Sequence, residues 1–278
     1  MTALQIGSLS LQCPAVMGIL NITPDSFSDG GQFNAPALAL KQAEKMAADG
    51  AAIIDIGGES TRPGAREVTE QEEIDRVVPV IEAVREAVDT PISIDTSKPG
   101  VMRAAVAAGA SMINDVRALQ LDGAVAAAAE LQVPVCLMHM QGQPRTMQQD
   151  PRYDDVVAEV SAFLRERVAE CVNAGIPEEL LVIDPGFGFG KRPKDNFELL
   201  ANLRQLQTIG RPVLIGVSRK STLGVVTGRE VDDRLPAGLA AAVLAVDRGA
   251  QIVRAHDVAE TVDALRVVAT TLESEHDE

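Results

Sequence analysis

Short apolar runs alternate along the chain with longer segments in which apolar residues recur at helical spacing. Eight runs are rich in Val, Ile, Leu and Met, and each has a polar or charged residue at or near its end. Such runs are typical of strands that are buried on both faces of a parallel sheet. They are VMGILN (16–21), AIIDIG (52–57), ISIDT (92–96), MINDV (112–116), VCLMHM (135–140), LVIDPG (181–186), VLIGVS (213–218) and IVRAHD (252–257).

The segments between these runs predict helices. The helical spacing is clearest in 72–88 and 153–173, and shorter alanine-rich helices fit 35–49, 99–108, 122–131, 195–206, 236–247 and 257–271. Strand and helix alternating eight times predict a (β/α)8 TIM barrel. A doubly wound parallel sheet is the competing architecture, but the count of eight and the lack of a GxGxxG after the first strand favour the barrel.

The chain outside the barrel pattern is short. LQIGSLSLQ (4–12) alternates around a Gly-Ser turn, which predicts a short N-terminal β-hairpin that closes the bottom of the barrel. No linker or break in composition appears, so we expect a single domain over 1–278 with an acidic tail from about 272.

Composition narrows the possible partners. Of the 278 residues 46% are apolar but only 3% are aromatic, so Ala, Val, Leu and Ile must fill the core. The net charge of -15 argues against nucleic acid or an anionic membrane as a partner, and an anionic substrate would need a local basic cluster. The three cysteines are scattered and form no CxxC, and we see neither a secretion signal nor a membrane span, so we expect a cytoplasmic protein.

Polar groups end the predicted strands, and the carboxyl ends of barrel strands meet at one mouth, where barrel active sites lie. These groups are Asn21, Asp55 with Glu59 beyond it, Asp95, Asn114 with Asp115, His139, Asp184, Ser218–Lys220, Arg254 and His256. We therefore expect a functional site at this mouth.

Two long loops border this mouth, 21–34 and 57–70. Both contain glycine pairs that can act as hinges, so we interpret them as lids rather than as surface loops without a role.

The polar set favours a flat heterocycle. Asp95, Asn114 and Asp184 offer acceptors and an amide, and a carboxylate can accept two parallel donors from an amino group and a ring N–H. Lys220 would donate to a ring carbonyl, while Phe189 and Met138 pack against the faces of the ring. The alternative for each carboxylate is a buried structural ion pair.

A basic set predicts an anion site beside the heterocycle. It comprises Arg62, Arg219, Lys220, Arg254 and His256. Arg254 and His256 flank Ala255, so strand periodicity puts both on one face, and phosphate sites at the last two strands recur in barrels. A solvent-exposed surface charge suits Arg219 better than Arg254.

Two motifs give little evidence for a metal site or a nucleotide site. No HExxH or similar pattern surrounds His139, so a hydrogen-bonded histidine at the mouth is favoured over a metal ligand. The glycine-rich loop in 184–196 lacks the context of a dinucleotide fold, so we interpret it as a tight loop that brings an aromatic ring to a ligand.

Long motifs across the chain resemble one enzyme family. The segments MGILNITPDSFSDGG, DIGGESTRPGA, IDTSKP, INDVRAL, CLMHMQGQPRTMQ, DPGFGFGK, GVSRKS and RAHDV closely resemble the bacterial dihydropteroate synthases of folate biosynthesis, and the similarity extends from about Val16 to Thr271. The resemblance implies a (β/α)8 barrel that forms a homodimer. It implies the joining of 7,8-dihydropterin-6-ylmethyl diphosphate to 4-aminobenzoate, with release of diphosphate and formation of 7,8-dihydropteroate.

The resemblance also implies roles for individual residues. The pterin would be bound by Asp95, Asn114, Val116, Met138, Asp184, Phe189, Gly216 and Lys220. The diphosphate would be bound by Asn21, Arg62, Arg254 and His256, with Asn21 also meeting a diphosphate-bound Mg2+. The 4-aminobenzoate site would be formed by Phe27, Thr61, Arg62, Pro63 and Ser221, and sulfonamide inhibitors that mimic 4-aminobenzoate would bind there. Asp25, Arg62 and Lys220 would be the catalytic residues, with Asp25 on the first mobile loop.

The chemistry suggests an order of events. The arylamine nucleophile is neutral at pH 7, so the difficult step is loss of diphosphate, and an SN1-like path through a pterin-stabilised cation is expected. Loops that close to exclude water would then form the amine site last. Two alternatives remain open: a pterin methyltransferase that uses methyltetrahydrofolate, and a catalytically silent pterin-binding homologue.

Overall fold

The alternation of apolar runs and helical segments forms a barrel, as predicted. The computed structural model describes residues 2–22, 35–60, 66–143 and 146–274. After a two-stranded hairpin, eight parallel strands of the described residues form one sheet in the order β8-β7-β6-β5-β4-β3-β10-β9. A parallel bridge between Ile183 and Val213 brings the two ends of this sheet together, so the ring is nearly closed.

The strands keep the predicted positions. The hairpin strands are β1 (Thr2–Ile6) and β2 (Leu9–Cys13), and the barrel strands are β3 (Ala15–Asn21), β4 (Ile53–Gly57), β5 (Ile92–Asp95), β6 (Met112–Asp115), β7 (Val135–Met138), β8 (Leu181–Asp184), β9 (Leu214–Gly216) and β10 (Ile252–Ala255). Nearly all side chains of the eight barrel strands are buried, because helices cover the outside and side chains fill the inside.

Helices surround the barrel. Those of the described residues are α1 (Ala35–Ala48), α2 (Glu70–Ala87), α3 (Pro99–Ala108), α4 (Ala124–Leu131), α5 (Val156–Asn173), α6 (Pro193–Ala201), α7 (Ser221–Thr227), α8 (Leu235–Asp247) and α9 (Val258–Ser274). Local chemistry fixes several of their starts. Thr69 and Glu72 form a reciprocal capping box on α2, and the Asp155 carboxylate accepts from the third residue of α5.

The hairpin closes the bottom of the barrel. Its apolar residues Ile6, Leu9 and Leu11 belong to the same buried cluster as Met17 and Ile53, which lie near the starts of the first two barrel strands. The opposite end of the barrel, where the strands end, is therefore the only open mouth that the topology leaves for a site in the part of the chain that the structure describes. None of the helices in these residues is long and apolar enough to cross a lipid bilayer.

The sequence analysis missed one helix and misplaced several helix ends. The sequence pattern did not predict α7, and the helix expected over 195–206 ends at Ala201 and continues as 3-10 turns over Leu203–Ile209. The last helix runs to Ser274 rather than 271, because hydroxyls such as that of Thr271 bond to carbonyls one turn back and Leu272 packs on the core. The first residues of the acidic tail expected from about 272 are therefore part of the last turn of α9.

Candidate active site

The predicted polar residues of strands β4, β5, β6 and β10 form one cluster at the mouth. The Arg254 guanidinium donates from Nε to Oδ2 of Asp55 at 2.6 Å and from Nη2 to Oδ2 of Asp95 at 2.7 Å. The Asn114 amide donates to the same Asp55 oxygen at 3.0 Å. Among the described residues Nη1 of Arg254 has no hydrogen-bond acceptor, so it remains available to a ligand.

Burial makes Asp95 of this cluster and the nearby Asp184 hard to ionise. Desolvation raises the pKa of Asp95 to about 7, with Arg254 acting in the opposite direction and Asp55 reinforcing the rise. Desolvation likewise raises the pKa of Asp184 to about 6, although its Oδ1 accepts the backbone N–H of Gly186 at 2.7 Å. Perturbed carboxylates grouped in a cleft are a recurring feature of functional sites.

A cation and an aromatic ring form the adjacent wall. The Lys220 ammonium lies 3.9 Å from the centre of the Phe189 ring, a cation–π contact. Burial and the neighbouring Arg254 charge lower the pKa of Lys220 to about 8, with Asp184 opposing them. The structure thus places the predicted pterin residues Lys220, Phe189 and Asp184 close together at the ends of β8 and β9.

The loop that carries Phe189 depends on its glycines. Gly186 and Gly190 have φ of 67° and 58°, in the left-handed region that favours glycine. A Cβ on Gly186 would lie 1.9 Å from the carbonyl oxygen of His139, and one on Gly190 would lie 2.4 Å from that of Gln141. This loop therefore packs backbone against backbone, in agreement with the tight loop predicted from the sequence.

His256 is held by a serine that the sequence analysis did not single out as its partner. Ser218 Oγ lies 3.0 Å from Nδ1 of His256 and accepts the His256 backbone N–H at 3.2 Å. Desolvation and the charges of Arg219 and Arg254 lower the pKa of His256 to about 3, so the ring is neutral at pH 7. If the serine hydroxyl donates to Nδ1, Nε2 carries the proton and can donate to an anion.

Asn21 ends β3 close to Asp95 on β5. Both side chains face Gly57, since a Cβ built there would lie 3.6 Å from Oδ1 of Asn21 and 3.7 Å from Oδ2 of Asp95. The described residues contain no group of three or more metal-ligating His, Cys, Asp or Glu side chains. One amide oxygen near one carboxylate fits an Mg2+ ion that arrives with substrate phosphates and retains water ligands, which is how this ion is commonly bound.

The remaining predicted residues fall into two groups. Val116, Met138 and Gly216 follow or end their strands at the mouth, and Ser221 is the first residue of α7. Asp25, Phe27, Thr61, Arg62 and Pro63 lie outside the described residues, so their assignments stay predictions.

The second predicted loop is anchored before and after residues 61–65. Lys98 donates to Oε2 of Glu59 and of Glu73, both at 2.5 Å, and Oε1 of Glu59 accepts the backbone N–H of Val68 at 3.3 Å. Gly58 has no room for a Cβ, which would lie 2.7 Å from Val77, so this glycine permits close packing on α2. This packing accounts for a glycine at position 58 on its own, and the hinge role expected for the glycine pair stays a prediction.

Contacts over long sequence distances explain which roles the sequence analysis missed. It placed Asp55 among the polar groups at the mouth but gave it no partner, and the structure shows it fully buried and bonded to Arg254 and Asn114. Lys191 was not singled out, because a lysine after a glycine-rich loop is ordinarily exposed. His139 behaves as predicted: it is a buried, hydrogen-bonded histidine, packed edge-on against Phe163.

The fold and the motifs have counterparts in known proteins. A model of the family described as "Pterin binding enzyme" matches residues 17–256. The dihydropteroate synthase of Haemophilus influenzae is 56% identical over 263 residues, covering 95% of this chain and 96% of that protein.

Solved structures give the same result. Yersinia pestis dihydropteroate synthase, in a sulfonamide drug complex, superposes with a TM-score of 0.93 at 50% identity, covering 98% of this chain and 100% of that one. Xanthomonas albilineans dihydropteroate synthase with 4-aminobenzoic acid superposes with a TM-score of 0.91 at 52% identity, covering 97% of this chain and 98% of that one.

Proposed function

The chain belongs to the dihydropteroate synthase family of pterin-binding enzymes, and from this premise we propose how its residues share the reaction. It is a transferase of folate biosynthesis that joins 7,8-dihydropterin-6-ylmethyl diphosphate to 4-aminobenzoate, giving 7,8-dihydropteroate and diphosphate. The observation that carries the division of roles is the cluster at the mouth, in which Arg254 touches the carboxylates of Asp55 and Asp95.

Pterin recognition falls to the acceptors at the ends of β5, β6 and β8. Ionised Asp184 would accept the two parallel donors of the pterin, its amino group and ring N–H, in a bidentate pair. Lys220 would donate to the pterin carbonyl, and Phe189 would stack beside the ring. Asp95 and Asn114 would bind the remaining polar edge of the heterocycle.

Diphosphate binding falls to Arg254, His256 and Asn21. Nη1 of Arg254 is available, and neutral His256 would donate from Nε2 without adding charge. Asn21 would hold an Mg2+ ion that is shared with the diphosphate, and this ion would supply positive charge next to the leaving group. The Arg254 guanidinium would stabilise the charge that develops as the carbon–oxygen bond breaks.

The bond-breaking step sets the requirements of the mechanism. The dihydropterin donates electron density to its exocyclic methylene, so loss of diphosphate leaves a stabilised cation that the neutral arylamine captures. The pair of electrons in the broken bond leaves with the diphosphate, and the amine then gives up one proton. Water must be kept from the cation, so the segments that contain Asp25 and Arg62 would close over it, and the pterin substrate would bind before 4-aminobenzoate.

The arylamine site would lie beside Ser221, at the start of α7. The related enzymes in complex with 4-aminobenzoic acid and with a sulfonamide drug support this assignment by family. Phe27, Thr61, Arg62 and Pro63 complete the proposed site, and a sulfonamide would compete there with 4-aminobenzoate.

We also propose a cytoplasmic location and a homodimeric state for the protein. All three cysteines are free thiols, and Cys136 and Cys171 are buried, which suits a reducing cytoplasm. Exposed valines on α7 and α9, which both contact α8, support a homodimer, since large apolar side chains at the surface commonly mark an interface.

One assay tests the function against its alternatives. The purified protein is mixed with the pterin diphosphate, 4-aminobenzoate and Mg2+, and 7,8-dihydropteroate and diphosphate are quantified. Stoichiometric formation of both products is expected. Tight pterin binding without product would indicate the silent homologue, and methyl transfer from methyltetrahydrofolate would indicate the methyltransferase.

A further inference from the structure

Lys191 is buried behind the proposed pterin residues Asp184 and Phe189, between the glycine-rich loop and α6. It is 2% exposed, and no carboxylate among the described residues forms an ion pair with it. Its ammonium instead faces lone pairs: Nδ1 of His139 at 2.9 Å, the carbonyls of Gly186 and Phe189 at 3.0 Å each, and the His139 carbonyl at 3.3 Å.

The protonation states in this group follow from hydrogen-bond chemistry. A lysine ammonium only donates, so Nδ1 of His139 must accept and the histidine proton lies on Nε2. Burial and the Lys191 charge lower the pKa of His139 to about 2, which keeps the ring neutral. Burial lowers the pKa of Lys191 to about 7, although Asp184 acts in the opposite direction, so the ammonium is the main form below that pH. In this form its three N–H donors match the imidazole and two carbonyls.

The two carbonyls belong to the loop that shapes the pterin site. Gly186 donates its backbone N–H to Asp184, and Phe189 carries the ring beneath the Lys220 ammonium. The Phe189 backbone N–H also bonds to the Gly186 carbonyl at 3.0 Å. The ammonium of Lys191 is therefore bonded to both residues that fix the orientation of Asp184 and of the ring.

Burial of an unpaired ammonium costs free energy, because the charge leaves water without a counter-charge at contact distance. Hydrophobic residues could fill the same volume behind the loop at a lower cost. Two other side chains already hold this loop. Tyr153 donates to the Gly190 carbonyl at 2.7 Å, and Asn196 accepts the Gly188 backbone N–H at 2.6 Å. The internal ammonium acts on the segment nearest the pterin set, 186–189.

We propose that Lys191 is a positioning residue for the pterin site, whose ammonium holds the Gly186 and Phe189 carbonyls so that Asp184, the Phe189 ring and Lys220 keep the geometry that binds pterin. The inference rests on the proposed pterin role of those three residues. It predicts a selective effect on the pterin substrate, since the Lys191 ammonium bonds to His139, Gly186 and Phe189 and not to Ser221, the described residue of the proposed 4-aminobenzoate site.

The test compares Lys191→Met with Lys194→Met, the same change at an exposed lysine three residues along. Binding of the pterin diphosphate is measured by calorimetry at a temperature at which circular dichroism shows each variant folded. Lys191→Met should weaken this binding by about tenfold or more, as the loss of an outer-shell partner of a binding site commonly does. The KM for 4-aminobenzoate at saturating pterin diphosphate should stay within about twofold of wild type, and Lys194→Met should match wild type in both.

A second variant protects the test against misfolding. Lys191→Met combined with His139→Leu removes the ammonium together with one acceptor that it would otherwise leave unpaired, and the same loss of pterin binding is expected. Wild-type pterin affinity in either folded variant, an equal loss for both substrates, or failure of both variants to fold would overturn the proposal. Failure of the proposed function is seen separately, as wild-type protein that forms no dihydropteroate.

Discussion

Arg254 joins the proposed pterin and diphosphate subsites within one side chain. Its Nε and Nη2 bind carboxylates of the barrel interior, while Nη1 is available to the leaving group. Asp55 and Asp95 both depend on this one guanidinium, although Asp55 is also bonded to Asn114. The residue therefore contributes to stability as well as to substrate binding.

Replacement of Arg254 by Met should affect both properties. Removal of one partner of a buried ion pair typically costs about 3–5 kcal/mol, because the other charge stays buried without a partner. We expect a loss of that order in the free energy of unfolding, measured in urea, together with a large loss of pterin diphosphate affinity. The control is Arg103→Met, which breaks an exposed pair with Glu130 and should cost at most about 1 kcal/mol. Near-normal kinetics for Arg254→Met would remove it from the anion site.

The two buried carboxylates predict how pterin binding depends on pH. The pKa of Asp95 is raised to about 7 and that of Asp184 to about 6, so both take up protons as the pH falls through this range. A protonated carboxyl presents a donor where the pterin needs an acceptor. Affinity for a neutral pterin should therefore be highest above pH 7 and fall towards pH 5.

Asp184→Asn provides the matching control for this pH dependence. The amide places an NH2 group opposite the donors of the pterin, so affinity should be low at every pH, and the part of the pH dependence due to Asp184 should disappear. Calorimetric titrations between pH 5 and 8 measure both effects. A flat wild-type profile, or unchanged affinity in the variant, would contradict the acceptor role of Asp184.

At the scale of elements, apolar periodicity predicts the strands and helices that pack on the core. It misses a short helix whose formation depends on local side-chain contacts. All eight barrel strands lie within two residues of the expected bounds at each end. The missed helix α7 has seven residues, with Gly224 and the exposed Val225 and Val226, a composition of low helix propensity. Arg234 packs against it so closely that a Cβ on Gly224 would lie 2.6 Å from the guanidinium.

The loop between β8 and α6 gives a prediction for an element. Gly186→Ala would place a methyl group 1.9 Å from a backbone carbonyl and force alanine into left-handed φ. The backbone conformation alone costs about 1–3 kcal/mol, and the clash adds to it. Gly210→Ala is the matched control, since its φ is 77° and no atom lies within 4 Å of the added Cβ. We expect thermal unfolding to show a larger loss for Gly186→Ala, with pterin affinity reduced in that variant only; equal losses would show that the loop can relax.

At the scale of the whole molecule, the barrel unites residues that the sequence keeps far apart. Asp55 and Arg254 are 199 positions apart, yet they bond because β4 and β10 both flank β3. The sequence indicated which strand ends carry polar groups, but the partner of each group depends on sheet order and side-chain packing. The acidic chain thereby encloses basic groups at the mouth, where an anionic substrate needs them.

The outer surface carries the last prediction, on assembly. Val225 on α7 and Val267 on α9 are 68% and 69% exposed, and α8 lies between these helices, with Leu244 exposed as well. If this face forms the proposed homodimer interface, Val267→Glu should give monomers in sedimentation velocity, because an isologous contact buries the new charge twice. Val172→Glu on α5, also at an exposed valine, should leave the sedimentation coefficient unchanged. A dimer that survives both Val225→Glu and Val267→Glu would place the interface elsewhere, and a monomeric wild type would refute the proposed dimer.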